Sequence, residues 1–597
     1  MKASFPTIGK ELELEPGTLV SVACEQAGVP LDLVCAGNGT CGKCLVEIEE
    51  NGARRTILGC QHRIVSDIQI FTDASEKSHQ LLVTESREDA DYQPQLRRVL
   101  IPREELSAPL GGYDFNCLEQ AVSSRTDITV EPLAYDLFGK LSTLIHESTC
   151  SKIAVVLDGS RIVDLGEGDS PSQLLGMAVD IGTTSVVAFL YSLEDGKLFG
   201  HRSSLNGQCR YGADVISRIE HAERDPEGLA LEQRAIFETI NTLAGELCES
   251  CGVRPDDVYE VVLCGNSTMQ HLFLGIQPSP LGRFPFVGLV SHTAEVPATC
   301  TSITMNRRGT LRFMPLLGGF VGADTTACLL ELPDDGRVRM MIDLGTNCEV
   351  AIGTPERMLV ASTACGPALE GAGISMGMRA TDGAIEHVSF DEASGAFSLS
   401  VIGNVAPTGF CGSGIIDMVA TLLSIGVINR KGAFIKGKAK EEHPLGSRVR
   451  ESEDGRRFVL VDANDHPDGR EISITLKDIR AIQLAKSAIY AGCTLITSTF
   501  GIDPRAIEEV CLAGAFGNYI DISNAQLIGL LPSIPNVPIK SIGNGAGLGA
   551  QHYLVSKRVR EQADTIRRNT THIELASNPD FTTVYMQGMA FEPYSML

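Results

Sequence analysis

Several residue types and patterns are scarce or missing in this sequence of 597 residues, and each absence narrows its possible functions. Tryptophan is absent and aromatic residues make up 5%, so an aromatic platform for stacking nucleic-acid bases is not expected. No run of about 18 apolar residues occurs, so no transmembrane helix is predicted. Acidic residues outnumber basic ones, 75 to 50, and the net charge of −25 argues against general binding to nucleic acid or anionic membranes.

The amino-terminal segment and the cysteine usage both predict a cytoplasmic protein. The first residues, MKASFPTIGKELELEPG, lack the apolar segment of a secretory signal. The 18 cysteines do not read as a disulfide framework, and most lie among apolar residues, where small buried thiols are common. Cys248 and Cys251 form a lone CxxC without a second pair at metal-site spacing, so we expect them to be structural.

Four cysteines near the start form the most informative motif: Cys35, Cys41, Cys44 and Cys60. The first three lie on one glycine-rich loop, and glycine lets backbone amides approach bound sulfur atoms closely. Four thiolates in this arrangement suit a [2Fe–2S] cluster, which carries one electron at a time. A zinc site is the alternative, and it is disfavoured because zinc sites prefer paired CxxC knuckles.

The residues around this loop predict a small mixed domain over 1–75. Residues 11–15 alternate like a half-buried strand, 18–28 have the pattern of a helix, and Asn51-Gly52 is a strong hairpin signal. Residues 68–71 are predicted to form the last strand. This order of elements resembles the β-grasp ferredoxin fold.

Two further segments separate this domain from the rest of the chain. Residues 76–94 are mostly polar and charged and are predicted to be a linker. Residues 95–172 alternate apolar and polar stretches, which favours a small α/β middle domain. No chemistry is evident in it, and we expect a spacer or a dimer surface.

Two segments later in the chain repeat each other. Residues 178–187 read AVDIGTTSVV and residues 341–350 read MIDLGTNCEV, and they align without a gap. Each predicts a strand, an Asp-x-Gly-Thr turn and a second strand. The amides and hydroxyls of such a turn can bind phosphate oxygens, and its aspartate can hold Mg²⁺ through water. The predicted phosphate-binding residues are Gly182, Thr183, Thr184, Gly345, Thr346 and Asn347, with Asp180 and Asp343 as the carboxylates.

A third glycine turn follows a strand near the end of the chain, within EVCLAGAFG at 509–517. Its residues Gly514, Ala515, Phe516 and Gly517 are predicted to lie against an adenosine, because glycine allows close backbone approach. No Walker A spacing occurs, which argues against a P-loop enzyme.

An aspartate also opens a predicted helix in GGFVGADTTA. Asp324 is either a helix cap or a catalytic carboxylate that orients the attacking nucleophile. Asn266 and Ser267 follow another predicted strand and are weaker site candidates.

In this order, the three turns resemble the phosphate-1, phosphate-2 and adenosine motifs of the acetate and sugar kinase/Hsp70/actin superfamily. The resemblance covers 176–597 and implies a two-lobed ATPase with duplicated ribonuclease-H-like subdomains, at about 176–335 and 336–597. The complete fold prediction is a multidomain α/β and α+β chain with a β-grasp ferredoxin, a linker, a middle domain and this ATPase.

The whole chain resembles one family, the reductive activators of corrinoid enzymes. Besides the cysteines and the three turns, the segment NGQCRYGADVISR at 206–218 is similar to the family's stretch after the first hairpin. The resemblance implies ATP-dependent reduction of cob(II)alamin to cob(I)alamin in a corrinoid methyl-transfer protein, with a [2Fe–2S] cluster, ATP and Mg²⁺. It also implies a low-potential electron donor, a homodimer and life in an anaerobe.

Three other functions are compatible with parts of the pattern. A small-molecule kinase with a ferredoxin sensor would need a pocket for a phosphoryl acceptor. A non-enzymatic redox-gated switch would bind nucleotide without sustained turnover. An activator of a radical dehydratase shares the ATPase superfamily but lacks a plant-like amino-terminal cluster domain, so it is the least favoured.

Overall fold

The computed structural model describes residues 1–27, 29, 31, 44–50, 52–72, 92–170, 172–452, 455–514, 517 and 519–595. Four predicted site residues, Cys35, Cys41, Ala515 and Phe516, lie outside the described residues, as does most of the predicted linker. Among the described residues, no helix is both long and apolar enough to cross a membrane.

The amino-terminal domain is a sheet with one helix packed on it. Its elements are β1 (Lys2–Phe5), β2 (Lys10–Glu13), α1 (Val20–Ala27), β3 (Leu45–Glu50), β4 (Ala53–Leu58) and β5 (Ile68–Phe71). The strand order is β2-β1-β5-β3-β4, and β1 and β5 run parallel at its centre. Gly52 has a φ of +75° at the β3–β4 turn, a conformation that glycine adopts without strain. The arrangement confirms the predicted ferredoxin-like fold.

The middle domain places two helices on a three-stranded sheet. Its elements are β6 (Leu96–Pro102), α2 (Asp114–Thr126), α3 (Tyr135–His146), β7 (Lys152–Asp158) and β8 (Arg161–Glu167). The strands pair antiparallel in the order β6-β7-β8. Leucine and isoleucine side chains of α2 and α3 meet those of the sheet in a separate apolar core.

The first lobe of the carboxy-terminal part is built on a six-stranded sheet. Its elements are β9 (Leu175–Ile181), β10 (Ser185–Ser192), β11 (Leu198–Leu205), α4 (Val215–Arg224), α5 (Gly228–Cys251), β12 (Val258–Gly265), α6 (Ser267–Leu274), β13 (Ala294–Pro297), β14 (Thr310–Phe313) and α7 (Ala323–Leu330). The strand order is β11-β10-β9-β12-β14-β13. Strands β9 and β10 are buried along most of their length, which explains their continuous apolar sequence.

The second lobe repeats this plan and adds small sheets and helices. Its elements are β15 (Arg339–Leu344), β16 (Cys348–Thr354), β17 (Arg357–Thr363), β18 (Ala384–Asp391), β19 (Ala396–Val401), β20 (Gly409–Phe410), α8 (Gly412–Ser424), α9 (Lys438–Glu442), β21 (Val449–Ser452), β22 (Gly455–Val461), β23 (Ile472–Thr475), α10 (Leu476–Phe500), β24 (Glu509–Ala513), α11 (Ile522–Leu527), β25 (Pro532–Ser533), β26 (Ile539–Gly543), α12 (Gly545–Val555), α13 (Lys557–Asn569), β27 (Thr570–His572), α14 (Phe581–Gln587) and β28 (Tyr594–Ser595). The main sheet has the order β26-β24-β15-β16-β17-β27.

The two main sheets share one topology. Each begins with a three-stranded antiparallel meander, β9-β10-β11 or β15-β16-β17, and adds two parallel strands beside the first one, β12 and β14 or β24 and β26. This is the duplicated ribonuclease-H-like arrangement predicted from the repeated hairpins. In both sheets the first hairpin therefore brings its turn to the same edge as the ends of the parallel strands.

Helices α7 and α12 pack against each other between the lobes. A Cβ atom placed on Gly549 of α12 would lie 2.1 Å from the carbonyl oxygen of Ala327 in α7, so only glycine fits this crossing. Leu554 and Val555 of α12 also join the apolar core of the first lobe, although α12 lies within the sequence of the second lobe. The carboxy-terminal segment thus returns to the first lobe.

The end of the predicted linker pairs with the connection between α12 and α13. The Gln93 amide donates to the Val555 carbonyl at 2.9 Å, and the Lys557 amide donates to the Gln93 carbonyl at 2.7 Å. Close by, Arg312 of β14 forms ion pairs with Asp158 of the middle domain and with the fully buried Glu260. Backbone pairing and buried ion pairs therefore join the middle domain to the first lobe.

Candidate active site

The turns of the two repeated hairpins lie where the sequence predicted them. Residues 182–184 connect β9 to β10, and residues 345–347 connect β15 to β16. Both turns are partly accessible, whereas the strands on either side are mostly buried. Both turns therefore reach the surface of the protein.

Three predicted carboxylates come together at these turns. Asp180 is near the end of β9, Asp343 is near the end of β15, and Asp324 is in the first turn of α7. Burial, followed by repulsion from Asp324, raises the pKa of Asp180 to about 7. The same two causes, in the same order, raise the pKa of Asp343 to about 7. Asp324 thus faces both hairpins.

Asp324 does not occupy the cap position of α7. The N-cap residue is Gly322, and Asp324 instead accepts a hydrogen bond from the Thr325 amide at 2.7 Å. Burial raises the pKa of Asp324 to about 6, and the bonds from Thr325 oppose that rise. A carboxyl group with such a pKa can exchange protons near neutral pH.

A fourth carboxylate at this site was not assigned from the sequence. Glu349 of β16 is 8% exposed, and its Oε1 accepts a hydrogen bond from the Ser362 hydroxyl at 3.0 Å. Burial and then repulsion from Asp324 and Asp343 raise its pKa well above the usual range. The repeat could have revealed this residue, because Glu349 is charged where the first hairpin has the apolar Val186.

Each hairpin aspartate has a buried thiol beside it. The Cys264 Sγ is 3.6 Å from Asp180 Oδ1, and the Cys328 Sγ is 3.7 Å from Asp343 Oδ2. Both thiols are fully buried. Their hydrogen bonds lower the pKa of the aspartates, against the larger effect of burial. Both thiols come from the first lobe, Cys264 from the end of β12 and Cys328 from α7, so α7 contacts the aspartate of the second hairpin.

The first turn is held by polar side chains from outside the hairpin. The Asn206 side-chain amide donates to the Gly182 carbonyl at 2.8 Å, and the Asn266 amide donates to the Thr183 hydroxyl at 3.0 Å. The Arg218 guanidinium donates to the Thr183 carbonyl. Asn266, a weaker sequence candidate, thus reaches a predicted phosphate-binding residue. Ser267 instead donates to the Gly318 carbonyl at 3.0 Å.

The second turn is held differently. The Gly366 amide donates to the Thr346 carbonyl at 3.0 Å, and the Thr346 hydroxyl donates to the Glu370 carboxylate at 2.7 Å. A Cβ on Gly345 would lie 3.2 Å from the Asn347 carbonyl and 4.0 Å from the Glu370 carboxylate. The threonine hydroxyl of this turn therefore bonds to a carboxylate, whereas that of the first turn accepts from an amide.

The predicted adenosine turn lies next to the second hairpin. Gly514 follows β24 with a φ of +91°, and a Cβ there would lie 2.9 Å from Asp343 Oδ1. Gly517 is buried and its amide donates to the Gly514 carbonyl at 3.0 Å. Glycine at 514 thus permits a close approach between this turn and the carboxylate.

Two of the four predicted cluster ligands are described, and they are neighbours. The Sγ atoms of Cys44 and Cys60 lie 3.1 Å apart, both residues are buried, and no disulfide joins them. This spacing and the thiol chemistry fit two ligands of one iron–sulfur cluster. They lie where the chain enters β3 and leaves β4, at one end of the amino-terminal sheet.

Comparisons with known proteins cover nearly the whole chain. Residues 6–65 match a 2Fe-2S iron-sulfur cluster binding domain, residues 175–333 the RACo middle region, and residues 337–597 the C-terminal domain of RACo, the ASKHA domain. The matched middle region corresponds to the first lobe described above. The smaller domain at 95–172 precedes it.

Two curated proteins and one solved structure are similar over most of their lengths. The corrinoid activation enzyme RamQ of Eubacterium limosum is 44% identical over 593 residues, which is 99% of both chains. A Methanosarcina barkeri protein named [Co(II) methylated amine-specific corrinoid protein] reductase is 24% identical over 466 residues, 71% of this chain and 79% of that one. The structure of a reductive activator for corrinoid, iron-sulfur protein matches with a TM-score of 0.74 and 32% identity, over 99% of this chain and 98% of that one.

These similarities agree with the cysteine pair and the paired hairpins, and they confirm the resemblance inferred from the sequence motifs. The chain belongs to the RACo family of corrinoid activators.

Proposed function

We propose that this protein uses ATP to reduce the inactive Co(II) form of a corrinoid methyl-transfer protein to Co(I). The observation that carries the proposal is the convergence of two Asp-x-Gly-Thr turns on one set of carboxylates, in a chain that also has a ferredoxin-type domain. The names of the relatives supply the substrate class, because they describe corrinoid activation and reduction of a Co(II) corrinoid protein.

The nucleotide is proposed to bind between the lobes. The turns at 182–184 and 345–347 would bind its phosphates, and Gly514, Ala515, Phe516 and Gly517 would lie against the adenosine. Asp180 and Asp343 would hold Mg²⁺ through water, since carboxylate oxygens and water are the ligands this ion prefers. Asp324, which faces both hairpins, would orient the attacking water.

The electron is proposed to enter through the amino-terminal domain. Cys35, Cys41, Cys44 and Cys60 would hold a [2Fe–2S] cluster, which supplies one-electron transfer when bound. An external low-potential donor would provide the electron. Conversion of Co(II) to Co(I) consumes one electron, and a coupling of about 1.4 kcal/mol shifts a one-electron equilibrium by about 59 mV.

Assembly and location are also part of the proposal. We expect a cytoplasmic homodimer, which size-exclusion chromatography with light scattering would detect. The middle domain exposes Leu110, Tyr113, Tyr135 and Phe138, and such a group of apolar side chains supports an interaction surface there.

The test is a visible-light assay of cobalt reduction. Purified protein with reconstituted cluster, a chemical reductant and a candidate corrinoid protein should convert Co(II) to Co(I) only when MgATP is present. Cys60→Ala should abolish the conversion but leave ATP binding intact, whereas Cys300→Ala, which removes an exposed thiol, should change neither. Accumulation of a phosphorylated small molecule would instead favour a kinase, and reduction at the same rate without ATP would contradict the proposal.

A further inference from the structure

Arg218 is a buried cation without a carboxylate at ion-pair distance among the described residues. Its side chain is fully buried within the first lobe. The guanidinium Nε donates to the Gly212 carbonyl at 2.9 Å, and Nη1 donates to Gln208 Oε1 at 3.3 Å. Two sulfur atoms also lie beside the guanidinium, Met269 Sδ at 3.3 Å and Cys209 Sγ at 3.4 Å. All of these partners are neutral groups.

The acidic residues nearest to Arg218 are engaged elsewhere. Asp214 caps α4, where its carboxylate accepts the Ser217 amide at 2.9 Å. Glu232 is fully buried and contacts His221 Nδ1 at 2.9 Å. Burial raises the pKa of Glu232 to about 8, so it is largely protonated at neutral pH. Both carboxyl groups oppose the fall in the Arg218 pKa that burial causes, but neither is at ion-pair distance from the guanidinium.

A buried charge without a counter-ion is expensive. Removing an ion from water costs several kcal/mol, which is why buried charges in proteins are normally paired. An anionic ligand bound close to Arg218 would supply the missing negative charge. The guanidinium already contacts the first hairpin turn, because it donates to the Thr183 carbonyl.

That hydrogen bond also orients the turn. In a trans peptide the carbonyl and the next amide hydrogen point in opposite directions. A carbonyl of Thr183 that faces Arg218 therefore directs the Thr184 amide away from it, towards the accessible side of the turn. The bond from Asn206 to the Gly182 carbonyl does the same for the Thr183 amide.

These two amides are available to a ligand. Neither the Thr183 nor the Thr184 amide donates a hydrogen bond to another described residue. The Thr183 hydroxyl accepts from Asn266, so its hydrogen is also directed to another acceptor. Three hydrogen-bond donors of the first turn, two amides and one hydroxyl, therefore remain for an anion. The Arg218 guanidinium lies on the opposite side of the peptide between Thr183 and Thr184.

We propose that Arg218 is a positioning residue for the nucleotide phosphates, which orients the first turn and supplies its positive charge. This inference rests on the proposed function, because it takes the ligand of the turn to be a nucleoside triphosphate. It predicts that Arg218 contributes to recognition of the phosphates and contributes nothing to recognition of the adenosine.

The test compares binding of MgATP and of adenosine by isothermal titration calorimetry with the full chain. Arg218→Met should weaken MgATP binding by about 10- to 100-fold, the range expected for hydrogen bonds to a charged group, and leave adenosine binding unchanged. Arg218→Lys keeps the charge without the fork of donors and should lose less than Arg218→Met.

Lys486→Met is the matched control. Lys486 is also buried and also donates to backbone carbonyls, those of Gly588 and Ala590, but it lies in α10 against the carboxy-terminal segment. Its loss should lower the melting temperature without changing either binding constant. Unchanged MgATP binding in Arg218→Met, or an equal loss of adenosine binding, would overturn the inference.

A second pair of variants decides the matter should Arg218→Met fail to fold. Cys209→Asp places a carboxylate beside the guanidinium and neutralises it, whereas Cys209→Asn has the same shape without the charge. MgATP should bind more weakly to the aspartate variant, and equal binding by both would overturn the inference. Absence of MgATP binding by the unmodified protein would instead contradict the proposed function itself.

Discussion

The two Asp-x-Gly-Thr turns have the same backbone plan and opposite electrostatic surroundings. Behind the first turn, the Thr183 carbonyl accepts from a buried guanidinium. Behind the second, the equivalent carbonyl of Thr346 accepts from a neutral amide, and the Thr346 hydroxyl donates to Glu370. The second hairpin also carries Glu349 where the first has Val186.

This difference shows that the two hairpins kept the same backbone geometry, whereas the charged side chains around them came to differ. The strand order and the turn with its aspartate recur in both lobes. The first lobe places the buried Arg218 behind its turn, and the second lobe adds the carboxyl groups of Glu349 and Glu370, with Arg379 near Glu370. A polyphosphate with its cation suits such a cleft, because guanidinium groups attract the phosphates and carboxylates attract Mg²⁺.

The largest effect is expected from replacing the aspartate that occurs in both hairpins. Asp180→Asn and Asp343→Asn should each lower the rate of ATP hydrolysis by about 100-fold or more, as expected when a group that positions the metal or water is lost. The Mg²⁺ concentration for half-maximal rate should rise in both variants. The measurement is phosphate release against Mg²⁺ concentration.

Asp382→Asn provides a comparison at an exposed aspartate beside Gly403, outside the carboxylate group. Near-normal hydrolysis in either hairpin variant would remove that aspartate from the site and break the equivalence of the hairpins.

The next effect concerns Asp324, which repels both aspartates. The pKa of Asp324 is higher in the folded protein than in the unfolded chain. Asp324 therefore costs no stability below the unfolded pKa near 4, and this cost grows to its full size as the pH rises through about 6. Asp324→Asn should therefore stabilise the nucleotide-free protein by about 1–3 kcal/mol at pH 8 and by about half as much at pH 5, midway between the two pKa values. Urea unfolding at both pH values measures this difference.

Asp521→Asn makes the same chemical change at an exposed helix cap in α11, where asparagine caps equally well. It should alter stability equally little at both pH values. If Asp324→Asn were less stable than the unmodified protein at pH 8, the repulsion between Asp324 and the two hairpin aspartates would already be compensated.

The smallest effect compares the two thiols. Cys264→Ala and Cys328→Ala each remove one weak hydrogen bond to an aspartate, so the pKa of that aspartate should rise slightly. Hydrolysis at pH 6.5 should fall by about two- to threefold in each variant and recover at pH 8. Unequal losses in the pH profiles would show that the hairpins differ in protonation as well as in charge.

The features that sequence predicted are those that depend on local pattern. The hairpins were recognisable because a buried strand, a glycine–threonine turn and a second strand repeat without a gap. The cluster loop was recognisable because cysteine spacing encodes ligand geometry directly. The family assignment and the fold class followed from these motifs, and both are confirmed.

The features that sequence did not predict depend on contacts between distant segments. Arg218 belongs to a stretch singled out as family-like, but its role depends on a carbonyl 35 residues away in sequence and on complete burial. Asn206 is a similar case. The return of α12 to the first lobe could not be read from its sequence, because apolar patterning does not specify which sheet a helix covers.

Helix α12 also connects two places that the sequence keeps far apart. Its first turn lies at the cleft, where Asn544 bonds to Asp180 and the Ala546 carbonyl accepts from Cys264. Its last turn holds Gln93, the residue from which the chain continues back towards the cluster domain. The helix has 11 residues, a span of about 16 Å. Because a helix of this length is stiff, a tilt at the end near Asp180 would also move the end that pairs with Gln93.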